Sequence, residues 1–152
     1  MSEENKALMR RWFEEVWNRG RAEAIDEMFA ADGVAHGLGG EGNPVLRGPA
    51  DFRPFFESFR DAYPDIEVVV LDAIAEGDLV ATRCAVRGTH RSPALGFAAT
   101  NRPVEFEGVA IVRIRDGQIA EAWNFFDFMS MFRQLGVLDF RPPADEPLPA
   151  ED

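Results

Sequence analysis

Val104-Glu-Phe-Glu-Gly-Val-Ala-Ile-Val-Arg-Ile-Arg-Asp-Gly-Gln-Ile-Ala-Glu-Ala-Trp-Asn-Phe-Phe126 decides the fold. Apolar residues recur with period two on both sides of Asp116-Gly117, and that dipeptide suits a tight hairpin turn because glycine tolerates positive φ. Residues 104–115 and 118–126 are therefore expected to pair antiparallel. The same logic applies upstream, where 66–71 and 79–87 alternate around the turn Glu76-Gly77-Asp78. Two successive hairpins make a four-strand antiparallel meander.

Before residue 64 the period is helical. Leu8, Met9, Trp12, Phe13, Val16 and Trp17 fall on one face of a helix over 5–18, stopped near Gly20, and Ala22, Ile25, Met28 and Phe29 repeat the pattern over 22–29. A short strand is expected over 32–36, followed by the glycine-rich loop 37–44. Pro49 opens a third helix carrying Phe52, Phe55, Phe56, Phe59 and Tyr63 as an aromatic stripe, and Pro64 ends it. A last short helix is expected over 128–135, stopped by Gly136. Helices followed by a meander mean the α+β class, with one domain over 1–138 and a Pro-rich acidic tail over 139–152 too poor in apolar residues to pack.

The chain has 152 residues, 46% of them hydrophobic, enough for one core without metals or disulfides. Its net charge of −11 repels phosphate backbones and anionic lipid, so neither nucleic acid nor membrane is an expected partner. No stretch reads as a targeting signal or a bilayer-spanning segment, and the expected location is the cytoplasm. The single cysteine, Cys84, lies in an apolar strand and reads as a small buried residue. Its two histidines, with no HxH or HExxH spacing, give no expectation of a metal.

Aromatic helices packed on one face of an antiparallel sheet leave room for a mostly apolar small molecule with a few polar anchors. Alternation along the last strand separates Glu121, Trp123, Phe125 and Asp127 from Ala120, Ala122, Asn124 and Phe126. Asp127, set among Phe125, Phe126 and Phe128, is a candidate general base for a carbon-bound proton beside a carbonyl. It is equally a candidate N-cap for the helix that follows. His90 is a candidate hydrogen-bond donor to an enolate oxygen, and His36, Trp17, Phe56, Trp123, Phe125 and Met131 are candidate substrate contacts.

Several segments together resemble the SnoaL-like polyketide cyclases of the nuclear transport factor 2-like superfamily. They are Phe29-Ala-Ala-Asp-Gly-Val-Ala-His36, Gly48-Pro-Ala-Asp-Phe52 with Tyr63-Pro-Asp65, Gly88-Thr-His-Arg91, Arg102-Pro-Val-Glu-Phe-Glu-Gly108, and Arg113 through Glu121 leading to Trp123-Asn-Phe-Phe-Asp127 and Gln134-Leu-Gly136. The resemblance implies a curved sheet wrapped by three helices around a cone-shaped pocket, and a homodimer formed through the sheet's outer face. It also implies ring closure by intramolecular aldol condensation of a methyl ester without cofactor. The family's acid/base aspartate at the end of the last long strand matches Asp127, whereas the histidine those cyclases use on the preceding strand is replaced by Arg113 or its neighbours. A non-catalytic binding or dimerisation module of the same fold is the alternative.

Overall fold

The computed structural model describes residues 2–39 and 45–137. Part of the expected glycine-rich loop and all of the expected tail lie outside them. α1 (Ser2–Arg11) continues without a break as a π-helical segment over Trp12–Asn18, followed by α2 (Ala22–Met28), β1 (Phe29–His36), β2 (Val45–Arg47) and α3 (Gly48–Ala62). β3 (Glu67–Glu76), β4 (Leu79–Thr89), β5 (Pro103–Arg115), β6 (Gln118–Phe126) and α4 (Phe128–Leu135) complete the chain. The α+β class holds, with the helices laid over one face of a curved sheet. No helix among the described residues is long and apolar enough to cross a membrane.

The sheet has the order β2-β1-β6-β5-β4-β3, six strands rather than the four of the meander. All its pairs are antiparallel except β1 with β6, which run parallel through Val34↔Glu121, Ala35↔Ala122 and His36↔Trp123. The expectation of a purely antiparallel sheet is corrected there. Phe29, expected to close a helix, instead opens β1, and the ladder shifts register between Phe29 and Val34. That irregularity breaks the alternation by which a strand is recognised in sequence.

On the concave face β4 buries Val80, Thr82, Cys84 and Val86, while β5 buries Val104, Phe106, Ala110 and Val112. Gly108, in the same row, makes room for Phe126: a β-carbon there would lie 2.3 Å from Phe126 Cδ1. The convex face carries ion pairs such as Arg83–Asp72 at 2.6 Å and Arg87–Glu67 at 2.8 Å. These pairs are exposed and each is worth about 0–1 kcal/mol.

The π-helical winding has a direct consequence for the roof. Residues five apart stand about 140° apart on an α-helix but near the same face when hydrogen bonds run from i to i+5. Arg19 N–H donates to Glu14 O at 2.9 Å in that pattern, and Trp12 and Trp17 consequently both turn toward the sheet and line one cavity. Trp17 is the hub of the roof, with its ring centroid 5.6–6.2 Å from those of Phe52, Phe55, Phe56 and Phe59.

β3 forms one edge of the sheet, where unpaired backbone groups invite unwanted strand pairing. Asn18 covers part of that edge by acting as a short strand: its Nδ2 donates to Val68 O at 3.0 Å and its Oδ1 accepts from Val68 N at 2.6 Å. Replacing Asn18 by Ala leaves both groups of Val68 unmatched. The expected cost is about 1–3 kcal/mol in urea-induced unfolding, with the helical roof loosened from β3.

Candidate active site

Between the roof and the concave face lies a cavity of about 70 Å³. Its floor includes Val86, Phe106, Ala110, Val112 and Ala122, and its roof Trp12, Trp17, Phe52, Phe55 and Phe59. Leu38, Phe126 and Phe128 also contribute to its wall. Of the described residues lining it, Asn124 alone has a side-chain amide, hydroxyl or charge.

β6 determines which residues reach this space. Ala122, Asn124 and Phe126 point to the concave side, whereas Trp123 and Phe125, two of the expected substrate contacts, point outward. Phe125 is 64% exposed. His36 follows them: it pairs with Trp123 across the parallel ladder, stacks on its ring at 5.8 Å, and holds Glu121 through Nε2 at 2.7 Å. Arg113 completes this outer group, with its guanidinium 5.6 Å from the Trp123 ring centroid. Trp17 does line the cavity, Phe56 packs behind it, and Met131 is buried on α4 off the cavity wall.

Asp127 comes at the end of β6, with its N–H on Glu107 O at 3.0 Å and its Oδ1 accepting from Ser130 N at 3.0 Å. The carboxylate thus caps α4, supplying a helix end with the oxygen its free N–H groups require. The side chain is exposed, and both chain neighbours, Phe126 and Phe128, line the cavity. Asp127 itself does not line the cavity, and its Oδ2 is uncommitted among the described residues.

His90 is fully buried and lies off the cavity wall, against Tyr63 at 5.7 Å and Phe97 at 5.0 Å between ring centroids. Its Nδ1 accepts the backbone N–H of Thr100 at 3.0 Å, which can only donate. The neutral ring must then carry its proton on Nε2, and that N–H, like the hydroxyl of Tyr63, is buried without a partner among the described residues. Burial lowers the His90 pKa below its ordinary 6.5 and pushes the Tyr63 hydroxyl to about 12. The same effect raises the Cys84 thiol to about 11, as befits an inert core residue.

Residues 7–135 match the sequence model of the SnoaL-like polyketide cyclases. The chain belongs to this family. DauD, an aklanonic acid methyl ester cyclase of Streptomyces sp. strain C5, is 30% identical to this SnoaL-like protein over 145 residues, covering 93% of the chain and 88% of the relative. Among solved structures, IdmH of Streptomyces antibioticus, provisionally assigned as a polyketide cyclase, is 33% identical with a TM-score of 0.75, covering 88% of this chain and 99% of its own. AclR of Streptomyces galilaeus, provisionally assigned as a hydroxylase, is 29% identical with a TM-score of 0.78, covering 91% and 100%. Relatives with different assigned reactions share the scaffold, so the reaction has to be argued from the site.

Asn124 was the residue that sequence alternation could have found. It shares a face with Ala122 and Phe126, but nothing in the strand itself says which face is concave. His90 supplies a prediction of a different kind. An imidazole harder to protonate in the folded than in the unfolded protein adds stability above pH 6.5 that is lost as pH falls below it. Urea titrations between about pH 7 and pH 5 are expected to show a steeper loss for this SnoaL-like protein than for His90→Gln, by up to about 1.4 kcal/mol per pH unit. Equal slopes would mean that His90 protonates as easily folded as unfolded.

Proposed function

We propose that this protein closes a ring in an apolar polyketide substrate by intramolecular aldol condensation, with Asp127 as the acid/base. The observation that carries this reading is an apolar cavity lined by Phe126 and Phe128, with the carboxylate of Asp127 set between them in the chain and one of its oxygens uncommitted among the described residues. Asp127 Oδ2 takes the proton from the carbon beside the ester carbonyl, and the enolate carbon attacks a second carbonyl carbon of the same molecule. The alkoxide so formed takes the proton back from Asp127. One carbon–carbon bond forms, the product is an isomer of the substrate, and the electron count calls on no cofactor. None of His36, His90 and Asp127 lines the cavity itself, but Asp127 alone lies between two residues that do, Phe126 and Phe128, so the reading rests on Asp127 rather than on a histidine partner.

The bond from Ser130 N–H to Asp127 Oδ1 favours a second reading, in which Asp127 only caps α4 and the cavity binds its ligand without turnover. Asparagine caps a helix about as well as aspartate but cannot serve as a base. With the methyl ester of aklanonic acid as trial substrate, followed chromatographically for an isomeric product, Asp127→Asn is expected to lose at least about 10²-fold in rate with its melting temperature nearly unchanged. Asp127→Ala should lose the rate and in addition about 1 kcal/mol of stability. An Asn variant as active as the parent would leave Asp127 as a cap alone.

A homodimer through the convex face belongs to the same proposal. Trp123, Ile111, Ala81 and Ile74 lie side by side across β6, β5, β4 and β3, and Ile74 and Phe125 are 69% and 64% exposed. Such a row is unusual on a monomer's surface and suits burial against a second copy. Sedimentation should give twice the 17.0 kDa of the chain, and Ile111→Glu should return the monomer.

A further inference from the structure

Asn124 is held so that one end of its amide is already chosen. Nδ2 donates to His36 O at 3.0 Å, and because a carbonyl oxygen only accepts, the end facing it must be the NH₂. The carbonyl oxygen Oδ1 is left facing elsewhere. It accepts no hydrogen bond from any described residue, yet it is not sealed off as the Tyr63 and His90 atoms are. Close backbone contact fixes the strand as well, since a β-carbon on Gly37 would lie 2.2 Å from Asn124 O. Among the aromatic and aliphatic residues that line the cavity, Asn124 is thus one with a preset acceptor to offer.

We propose that Asn124 Oδ1 selects ligands that present a hydroxyl donor, phenolic or enolic, to the cavity, over otherwise equal molecules lacking it. A site with a fixed acceptor penalises a ligand that covers it without supplying a proton, because the acceptor then loses water and gains nothing. This inference rests on the cavity being the ligand site and does not require turnover.

Phenol and anisole share one ring and differ in whether the oxygen can donate, which makes them suitable probes. Titrated into the full chain and followed by ¹⁵N–¹H spectra, phenol is expected to bind about 10-fold or more tightly relative to anisole than it does in Asn124→Leu. Asn124→Asp, in its protonated form, keeps both a donor to His36 O and an accepting oxygen and should keep the preference, which separates selection from a merely structural role. Should the Leu variant not fold, the side-chain NH₂ signals of Asn124 in the unmodified protein give the answer: phenol should shift them well beyond the shift caused by anisole. An unchanged phenol-to-anisole ratio in the Leu variant, equal shifts from both probes, or no saturable phenol binding would overturn the proposal. A selective cavity in a protein that closes no ring defeats the aldol reading and leaves this one standing, whereas ring closure with an unselective cavity does the reverse.

Discussion

The parallel ladder between β1 and β6 is the constraint on which the rest of the structure depends. It takes the chain as it leaves the helical roof and ties it to the free edge of the hairpins, pairing Ala35 with Ala122 and His36 with Trp123. With that register set, Gly37 lies against the backbone of Asn124, and Leu38 beyond it joins the cavity wall. A slip by one residue would turn the side chains of β1 to the opposite faces, carrying Ala35 out of the cavity and His36 into it. The parallel pair therefore does more than extend the sheet: it fixes which polar groups meet the ligand space.

The roof answers the floor through a local irregularity. Seven residues of π-helical winding set Trp12 and Trp17 over the same space, and the aromatic stripe of α3 packs around Trp17. The result divides the molecule by polarity. Aromatic and aliphatic groups enclose a narrow interior with one amide on its wall, and charge lies outside it, on the convex face, on the outer sides of the helices and at Asp127. Such an interior suits apolar groups, since water competes poorly there for the few polar contacts.

Much of this was legible in the sequence because the signals were local. Asp116-Gly117 between alternating strands, the helical spacing from Leu8 to Trp17, and Gly136 after α4 each act over a few residues, and the elements they predict are present. The failures share a cause of longer range. Phe29 opens a strand, against its helical spacing, because β6 offers it a partner some ninety residues away in the chain. Both faces of β6 carry aromatic residues, so only the neighbouring strands and the helices above them decide that Phe126 faces the cavity and Phe125 does not. His90, read as a donor to substrate, is instead enclosed by Tyr63, Phe97 and the Thr100 backbone, contacts formed only once the loop after β4 has folded back.

The account comes down to one geometric relation, a substrate carbon within reach of Asp127 while the rest of the molecule fills the cavity. A crystal structure with an unreactive methyl ester analogue, its acidic carbon blocked against ionisation, measures it directly. The expected result is an analogue seated between Trp17 and Ala122 with that carbon about 3–3.5 Å from Asp127 Oδ2. Density for the analogue on the convex face, or in the cavity with its ester remote from Asp127, would contradict the account.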